Sequence, residues 1–208
     1  MIKGTPELIA RRREEIINAC EALYQTMGFR DITLKEIGKA TSFSRPTIYN
    51  YFETKEEIFL ALFQREYDRW NDELTAVLEG NEELTKTELA EKIAGSLAGR
   101  EQLLKLLSMN HYDMEENSRQ EQLVEFKKSY GRSLELVSLL IRKFCPEMTE
   151  PEIRHFIYVF FPFMFGIYPY TEVTEKQRNG MKEAGISFMY QTAYDLIFSC
   201  LIRLLDHG

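Results

Sequence analysis

Residues 33–55, TLKEIGKATSFSRPTIYNYFETK, decide the fold of this chain. Their pattern predicts a short helix, a tight turn, a second short helix and the first turn of a third. Two helices joined by a turn of three or four residues form a helix-turn-helix, which places its second helix in the major groove of DNA. The stretch therefore predicts a DNA-binding unit near the N-terminus.

Local residue choices mark the boundaries of these helices. Thr33 and Glu36 have the spacing of a capping box, in which each side chain bonds the other residue's free backbone N–H group. Residues 41–43 make the turn. Ser44 is a favourable N-cap for the second helix, and Pro46 falls in its first turn, where a missing N–H costs little. Both helix starts are therefore predicted from short-range chemistry.

The second helix is predicted to have an inner and an outer face. Ile48 and Phe52 lie four residues apart, so their side chains should pack inward. Thr54 and Glu57 give a second capping-box pattern, which opens a long helix. The outer face is left to contact a partner through Arg45, Thr47, Asn50 and Tyr51.

This arrangement resembles the DNA-binding domain of the TetR family of bacterial transcriptional regulators over roughly residues 8–60. The family pattern has a Thr that caps the second helix, a Ser that opens the recognition helix, a Tyr-x-x-Phe core and a following Lys. In this chain those residues are Thr33, Ser44, Tyr49, Phe52 and Lys55. Many relatives carry a Gly in the first turn of the recognition helix, where this chain has Pro46. That proline fixes the backbone and removes a donor, which leaves the operator sequence open.

The resemblance implies an all-α fold of two domains. Residues 1–55 would form an N-terminal three-helix helix-turn-helix DNA-binding domain. Residues 56–208 would form a helical regulatory domain for ligand binding and dimerisation. The resemblance also implies a homodimer that binds double-stranded operator DNA and an unknown small-molecule ligand.

Nine residues are predicted to form the DNA-binding surface. Phosphate contacts are expected from Thr33, Tyr49, Tyr51 and Lys55. Base-edge contacts are expected from Arg45, Thr47 and Asn50. The start of the recognition helix adds Ser44 and Pro46. Lys55 lies at a helix N-terminus, where backbone N–H groups and its ammonium can share one phosphate.

Charge is unevenly distributed along the chain. The whole sequence has a net charge of −7, yet residues 1–55 carry nine Lys and Arg against seven Asp and Glu. The remaining residues carry seventeen against twenty-six. Positive charge is therefore concentrated where phosphate contact is predicted. We expect the acidic remainder to be a solvated surface that also repels DNA.

Catalytic and metal chemistry have little support in the sequence. Cys20, Cys145 and Cys200 show no paired spacing, which predicts buried free thiols in a reducing compartment. Residues 110–117 include a His, an Asp and two Glu, but a polar loop explains them better than a metal site. Neither a nucleophile elbow nor a phosphate-binding glycine loop is present. We therefore expect no enzyme, no cofactor and no metal.

The longest apolar run does not predict a membrane span. Residues 156–170 are interrupted by Pro162, Gly166 and Pro169, and the run is too short to cross a bilayer. No signal peptide is visible. We therefore expect a cytoplasmic protein that has no membrane partner.

Two helices near the C-terminus are predicted to be apolar on nearly all sides. Thr149 and Glu152 cap the first, and the second is expected from about residue 186 to residue 205. A short helix over residues 174–184 is predicted between them. A helix that is apolar all round must be covered all round. A second subunit is the simplest cover, which predicts a dimer interface of four helices, two from each chain.

Aromatic and methionine side chains concentrate in the regulatory domain. At helical spacing a single such residue is more often plain core, but the group, within this resemblance, favours a ligand cavity between helices. The cavity is expected between helices over residues 55–78 and 123–144 and the start of the helix that Thr149 and Glu152 cap. Few charges fall on these faces, so the ligand should be largely apolar. Its predicted lining is Phe63, Tyr67, Trp70, Met109, Tyr112, Phe126, Tyr130 and Met164.

Two functions remain open at this point. The first is a ligand-responsive repressor that binds a palindromic operator as a dimer and is released by a small inducer. The second is a protein of the same fold that acts through protein partners without reading specific DNA. The predicted phosphate-contacting residues favour the first, and DNA upstream of the protein's own gene would separate the two in a gel-shift experiment.

Overall fold

The computed structural model describes residues 5–109 and 111–206. Across these residues the protein is all-α and no strand occurs, as predicted. The helices are α1 (Pro6–Thr26), α2 (Leu34–Lys39), α3 (Arg45–Ile48), α4 (Lys55–Gly80), α5 (Lys86–Ala98), α6 (Glu101–Leu107), α7 (His111–Glu116), α8 (Gln120–Phe144), α9 (Glu150–Thr171), α10 (Glu175–Glu183) and α11 (Ala193–Asp206).

The predicted helix-turn-helix is confirmed. α2 packs against α1 and α3, and Thr33 Oγ1 accepts a hydrogen bond from the Glu36 N–H at 3.3 Å. α3 is short, but the chain keeps coiling beyond it. The N–H groups of Tyr51 and Phe52 both donate to the Ile48 carbonyl, at 2.8 and 3.0 Å. The recognition helix thus ends in a tight turn that leads directly to α4.

The first of two compact units comprises Met1–Glu66 and Asn110–Tyr130. Ile48 and Phe52 are fully buried in its core, as predicted from their spacing. Phe59 of α4 contacts Tyr24 of α1 edge-to-face, with 5.1 Å between ring centroids. The unit therefore includes α7 and the first half of α8 as well as the helix-turn-helix. The predicted domain boundary at residue 55 stays a prediction.

The second compact unit comprises Tyr67–Met109 and Gly131–Gly208. Within it α11 packs against α5 and α9, and α6 packs against α9. Trp70 lies at the centre of its core, where its ring is 6.0 Å from that of Phe161 and its indole N–H donates to Ser96 Oγ at 3.0 Å. The helical C-terminal part predicted from the sequence is thus present as a packed body.

The polar loop predicted over residues 110–117 is wrong where the structure describes it. Residues 111–116 form α7, a helix of the first unit whose Met114 side chain is buried. Asn117 Nδ2 donates to the Asp113 carbonyl at 2.7 Å, and Ser118 Oγ donates to the Met114 carbonyl at 2.6 Å, so two side chains satisfy the end of the helix. A single buried methionine among polar residues is too weak a periodic signal to predict a helix.

The last helix begins later than predicted. Residues 186–192 are not helical, and α11 starts at Ala193. Thr192 and Asp195 form a capping box there, with the Asp195 N–H donating to Thr192 Oγ1 at 3.1 Å and the Thr192 N–H donating to Asp195 at 3.2 Å. The short α10 is confirmed, and Gly185 ends it with a φ of 68°, a conformation that favours glycine.

Helix α9 continues through both of its internal prolines. Pro162 and Pro169 each lie on an exposed part of the helix, where a carbonyl that loses its partner can bond water. Among the described residues, no single helix has the length and apolar character needed to cross a membrane. α9 and α10 pass that test only as a pair, bent by 83°.

Candidate DNA-binding surface and ligand site

The recognition helix presents an exposed polar edge. Ser44, Arg45, Pro46 and Asn50 are exposed, and Thr47 is half-buried. The Arg45 guanidinium donates to the Tyr49 hydroxyl at 2.9 Å and lies 5.7 Å from the centroid of the Tyr49 ring. This contact holds the cationic side chain along the outer edge of the helix. The structure therefore keeps together most of the residues that the sequence predicted to approach bases.

Two predicted phosphate contacts are less accessible than expected. Tyr51 was expected on the outer face, but it is only 6% exposed. The Lys55 ammonium donates to the carbonyls of Phe29 and Ile32 at 2.9 and 3.2 Å, and it lies 4.1 Å from the centroid of the Phe29 ring. Lys55 thus stabilises the segment between α1 and α2 by hydrogen bonds to its backbone. Thr33 is exposed, and the phosphate contacts of all these residues stay predictions.

Contacts from α1 to the helix-turn-helix went unpredicted. The Arg13 guanidinium lies 4.7 Å from the centroid of the Phe52 ring, so this arginine of α1 packs against the end of the recognition helix. Glu15 accepts a hydrogen bond from the Ser42 N–H in the turn. That bond lowers the pKa of Glu15, which keeps the acceptor ionised. Sequence periodicity could not find either contact because each joins residues far apart in the chain.

The eight predicted ligand residues are divided between the two compact units. Phe63, Tyr112, Phe126 and Tyr130 belong to the first unit, and Tyr67, Trp70, Met109 and Met164 to the second. In the first unit the rings of Phe63 and Phe126 are 5.0 Å apart, whereas Tyr112 is 81% exposed. In the second unit the rings of Tyr67 and Trp70 are 6.4 Å apart, and Met164 is buried. Their role in ligand binding stays a prediction.

Among the described residues of the second unit, two clefts lie near the end of α9. One of about 490 Å³ is lined by the end of α9, by α10 and by Phe188 and Tyr190. Another of about 320 Å³ lies between α6, the end of α9 and the start of α11. None of the eight predicted ligand residues lines either cleft. Neither cleft could be predicted, because residues 186–192 were expected to be helical.

The cysteines are free thiols. Burial raises the pKa of Cys20 to about 12 and that of Cys200 to about 11, so both stay protonated at neutral pH. Cys145 is buried, and burial raises its pKa as well. A protonated thiol is a poor nucleophile. Within residues 5–109 and 111–206, no group of three or more His, Cys, Asp or Glu side chains could hold a metal ion.

Two solved structures share this fold over nearly its whole length. The transcriptional repressor FadR of Thermus thermophilus, in complex with lauroyl-CoA, is 21% identical, with a TM-score of 0.59 over 95% of this chain and 94% of that one. The regulator FadR of Bacillus subtilis, in complex with stearoyl-CoA, is 18% identical, with a TM-score of 0.60 over 94% of this chain and 98% of that one. At these identities the likeness concerns the fold.

Family models and sequence relatives agree on the class of protein. The model for bacterial regulatory proteins of the tetR family matches residues 16–62, and that for the tetracyclin repressor-like C-terminal domain matches residues 64–195. The HTH-type transcriptional regulator HbdR of Aromatoleum sp. (strain CIB) is 29% identical over 75 residues, 36% of this chain and 33% of that protein. The chain thus spans about a third of the curated relatives it matches. Because the two models together match more than half of it, this chain belongs to the TetR family of bacterial transcriptional regulators.

Proposed function

We propose that this regulator is a repressor that binds a palindromic operator as a homodimer and is released by a largely apolar small molecule. The observation that carries the proposal is the exposed edge of the recognition helix. On this edge the Arg45 guanidinium donates a hydrogen bond to the Tyr49 hydroxyl at 2.9 Å. A dimer places two such helices about one DNA turn, roughly 34–36 Å, apart and so reads two half-sites. A gel-shift with DNA upstream of the protein's own gene tests it.

Base reading by Arg45 has a measurable consequence. Arg45→Ala should cost roughly 1–3 kcal/mol of discrimination at one position of the operator, because arginine makes two hydrogen bonds to guanine in the major groove. Binding to random DNA should change little. Operator affinity is measured across single-base variants of the site. Lys92→Ala, which removes an exposed charge of α5, is the control for net charge. Equal losses on operator and random DNA would remove Arg45 from the base-reading set.

Dimerisation is supported by exposed apolar surface in the second unit. Tyr158 on α9 is 77% exposed, and Met189 before α11 is 81% exposed. Tyr170 and Ile186 are also more than half exposed. Exposed apolar side chains mark an interaction surface where they form a patch. A second copy covering α9 and α11 would bury them in a bundle of four helices, as the family's fold implies.

An apolar ligand is supported by the buried aromatic residues. Trp70, Tyr67 and Phe161 lie together in the core of the second unit, and Trp70 and Tyr67 each combine an apolar ring with one hydrogen-bonding group. Two proteins of the same fold were solved with lauroyl-CoA and stearoyl-CoA. We therefore propose a ligand with a long apolar part, for which an acyl thioester is the first class to test.

Trp70 gives a direct test because it is the sole tryptophan. Lauroyl-CoA should change its fluorescence and should lower operator affinity by about 5–150-fold, the usual range of coupling between two sites. Free coenzyme A and laurate are separate arms that distinguish recognition of the headgroup from recognition of the chain. Unchanged fluorescence together with unchanged DNA binding in lauroyl-CoA would exclude the acyl thioester class.

A further inference from the structure

An ion pair between a buried carboxylate and a partly exposed guanidinium lies beside the turn that follows the recognition helix. Glu57, in the first turn of α4, has a fully buried side chain. Arg119, the residue before α8, donates from Nε to one carboxylate oxygen at 2.7 Å and from its terminal nitrogen to the other at 2.8 Å. The Arg119 backbone N–H donates to the same carboxylate at 3.0 Å. A two-point contact of this kind fixes orientation as well as distance.

The charges on this pair are stable. Burial raises the pKa of Glu57, but hydrogen bonds from Arg119 and from the Glu53 N–H lower it further, so the carboxyl lies below its ordinary pKa. Hydrogen bonding to Glu57 raises the pKa of Arg119. Both groups are therefore ionised at neutral pH.

The Glu57 carboxylate accepts the Glu53 N–H at 2.8 Å, so the predicted capping box with Thr54 keeps only the bond from the Glu57 N–H to Thr54 Oγ1.

Arg119 also contacts the turn in which the recognition helix ends. Its terminal nitrogen donates to the Tyr51 carbonyl at 3.1 Å, in the turn that follows α3. Glu57 holds the Glu53 N–H at the other side of the same short connection. The link between the recognition helix and α4 is thus held at two points by one ion pair. A change in the position of Arg119 would act on both points at once.

Neighbouring contacts hold the same segment in place. Thr54 Oγ1 donates to the Asn117 carbonyl at 2.8 Å. Arg13, whose guanidinium lies over the Phe52 ring, donates to Gln122 Oε1 at 2.8 Å. Residues 117–122 therefore contact the end of the recognition helix, the start of α4 and α1. The start of α8 belongs to the frame that supports the DNA-reading surface.

We propose that Arg119 is a positioning residue for DNA recognition, which fixes the recognition helix through Tyr51 and Glu57 from its place at the start of α8. The inference rests on the proposed function as a DNA-binding regulator and names a residue that acts in it without touching DNA. α8 runs without a break from Gln120 to Phe144, from the first compact unit into the second. A displacement of α8 would therefore move Arg119 against the recognition helix.

A role in stability alone does not account for this arrangement. An ion pair with one buried member adds little net stability, because the water lost around the Glu57 carboxylate offsets the attraction between the two charges. An apolar pair of similar volume would serve packing as well. What the pair supplies is direction, since the planar guanidinium bonds Glu57 and the Tyr51 carbonyl together. The orientation of the recognition helix matters because its side chains have to meet base edges.

The test compares variants on two DNAs. The operator is a sequence that the wild-type protein enriches from a random pool, and the reference is unselected random DNA. Arg119→Gln leaves the buried Glu57 carboxylate without its cationic partner, so it should lower both thermal stability and operator affinity. Glu57→Gln combined with Arg119→Gln removes both charges and should restore thermal stability. In that double variant the ratio of operator to random-DNA affinity should remain at least tenfold below the wild-type ratio.

Arg65 supplies a matched control. It bonds Glu14 and Glu21, each at 2.8 Å, and joins α4 to α1 in the same unit without touching the recognition helix. Arg65→Gln should lower thermal stability and leave the affinity ratio within threefold of the wild-type value. A double variant at residues 57 and 119 with a wild-type ratio, measured well below its melting temperature, would overturn the positioning role. A wild-type protein that enriches no sequence would overturn the proposed function and this inference with it.

Discussion

Tyr158→Glu is expected to produce monomers and to weaken operator binding by about 10²–10⁴-fold, because a dimer gains avidity by holding two recognition helices on one DNA molecule. Tyr158 lies in the middle of α9 and is 77% exposed. If a second copy covers this face, a glutamate there must lose its water without gaining a partner, which a dimer interface does not tolerate. The monomer should keep its helical content, because the side chain contributes little to the core of its own chain.

Sedimentation velocity at micromolar concentration measures the dimer, and a gel-shift measures operator binding. Tyr112→Glu is the control, since Tyr112 is 81% exposed on a helix of the first unit, outside the proposed interface. It should remain a dimer. A dimeric Tyr158→Glu protein would place the interface elsewhere than α9. A monomeric wild-type protein at the same concentration would reject the homodimer altogether.

The helix-turn-helix could be predicted from the sequence because its signals are short-range. Thr33 caps α2 from three residues away, and Pro46 fixes the first turn of α3 by its own covalent structure. The burial of Ile48 and Phe52 follows from a spacing of four residues. Each signal acts within one or two helical turns, so tertiary packing had little opportunity to override it.

The surroundings of the recognition helix could not be predicted in the same way. The bond from Arg119 to Glu57 joins residues 62 positions apart, and the bond from Lys55 to Phe29 spans 26. Composition and periodicity carry no information about which distant residue meets which. Lys55 was therefore assigned to phosphate from its place at a helix start, although in the structure its ammonium is bonded to two backbone carbonyls.

Trp70→Ala is expected to lower the free energy of unfolding by about 3–5 kcal/mol, the usual loss when a buried aromatic residue is truncated to alanine in a core. Trp70 is fully buried, its ring lies 6.0 Å from that of Phe161, and its indole N–H donates to Ser96 Oγ at 3.0 Å. At about 2–4 °C per kcal/mol for a chain of this size, the melting temperature should fall by about 6–20 °C.

The size of the effect depends on how well the core can close around the missing indole. Trp70→Phe keeps an aromatic ring and should cost less than Trp70→Ala. Ser96→Ala keeps the indole but removes its hydrogen-bond acceptor, which should cost about 1–3 kcal/mol because the buried N–H is left unsatisfied. Urea unfolding followed by circular dichroism measures all three, since two of them lack the only tryptophan fluorophore. A loss below about 1 kcal/mol in Trp70→Ala, against the 3–5 kcal/mol of a packed core, would mean that the indole lines a space already open around it. In that case Trp70 would be better explained as a wall of the ligand cavity than as part of the framework that surrounds it.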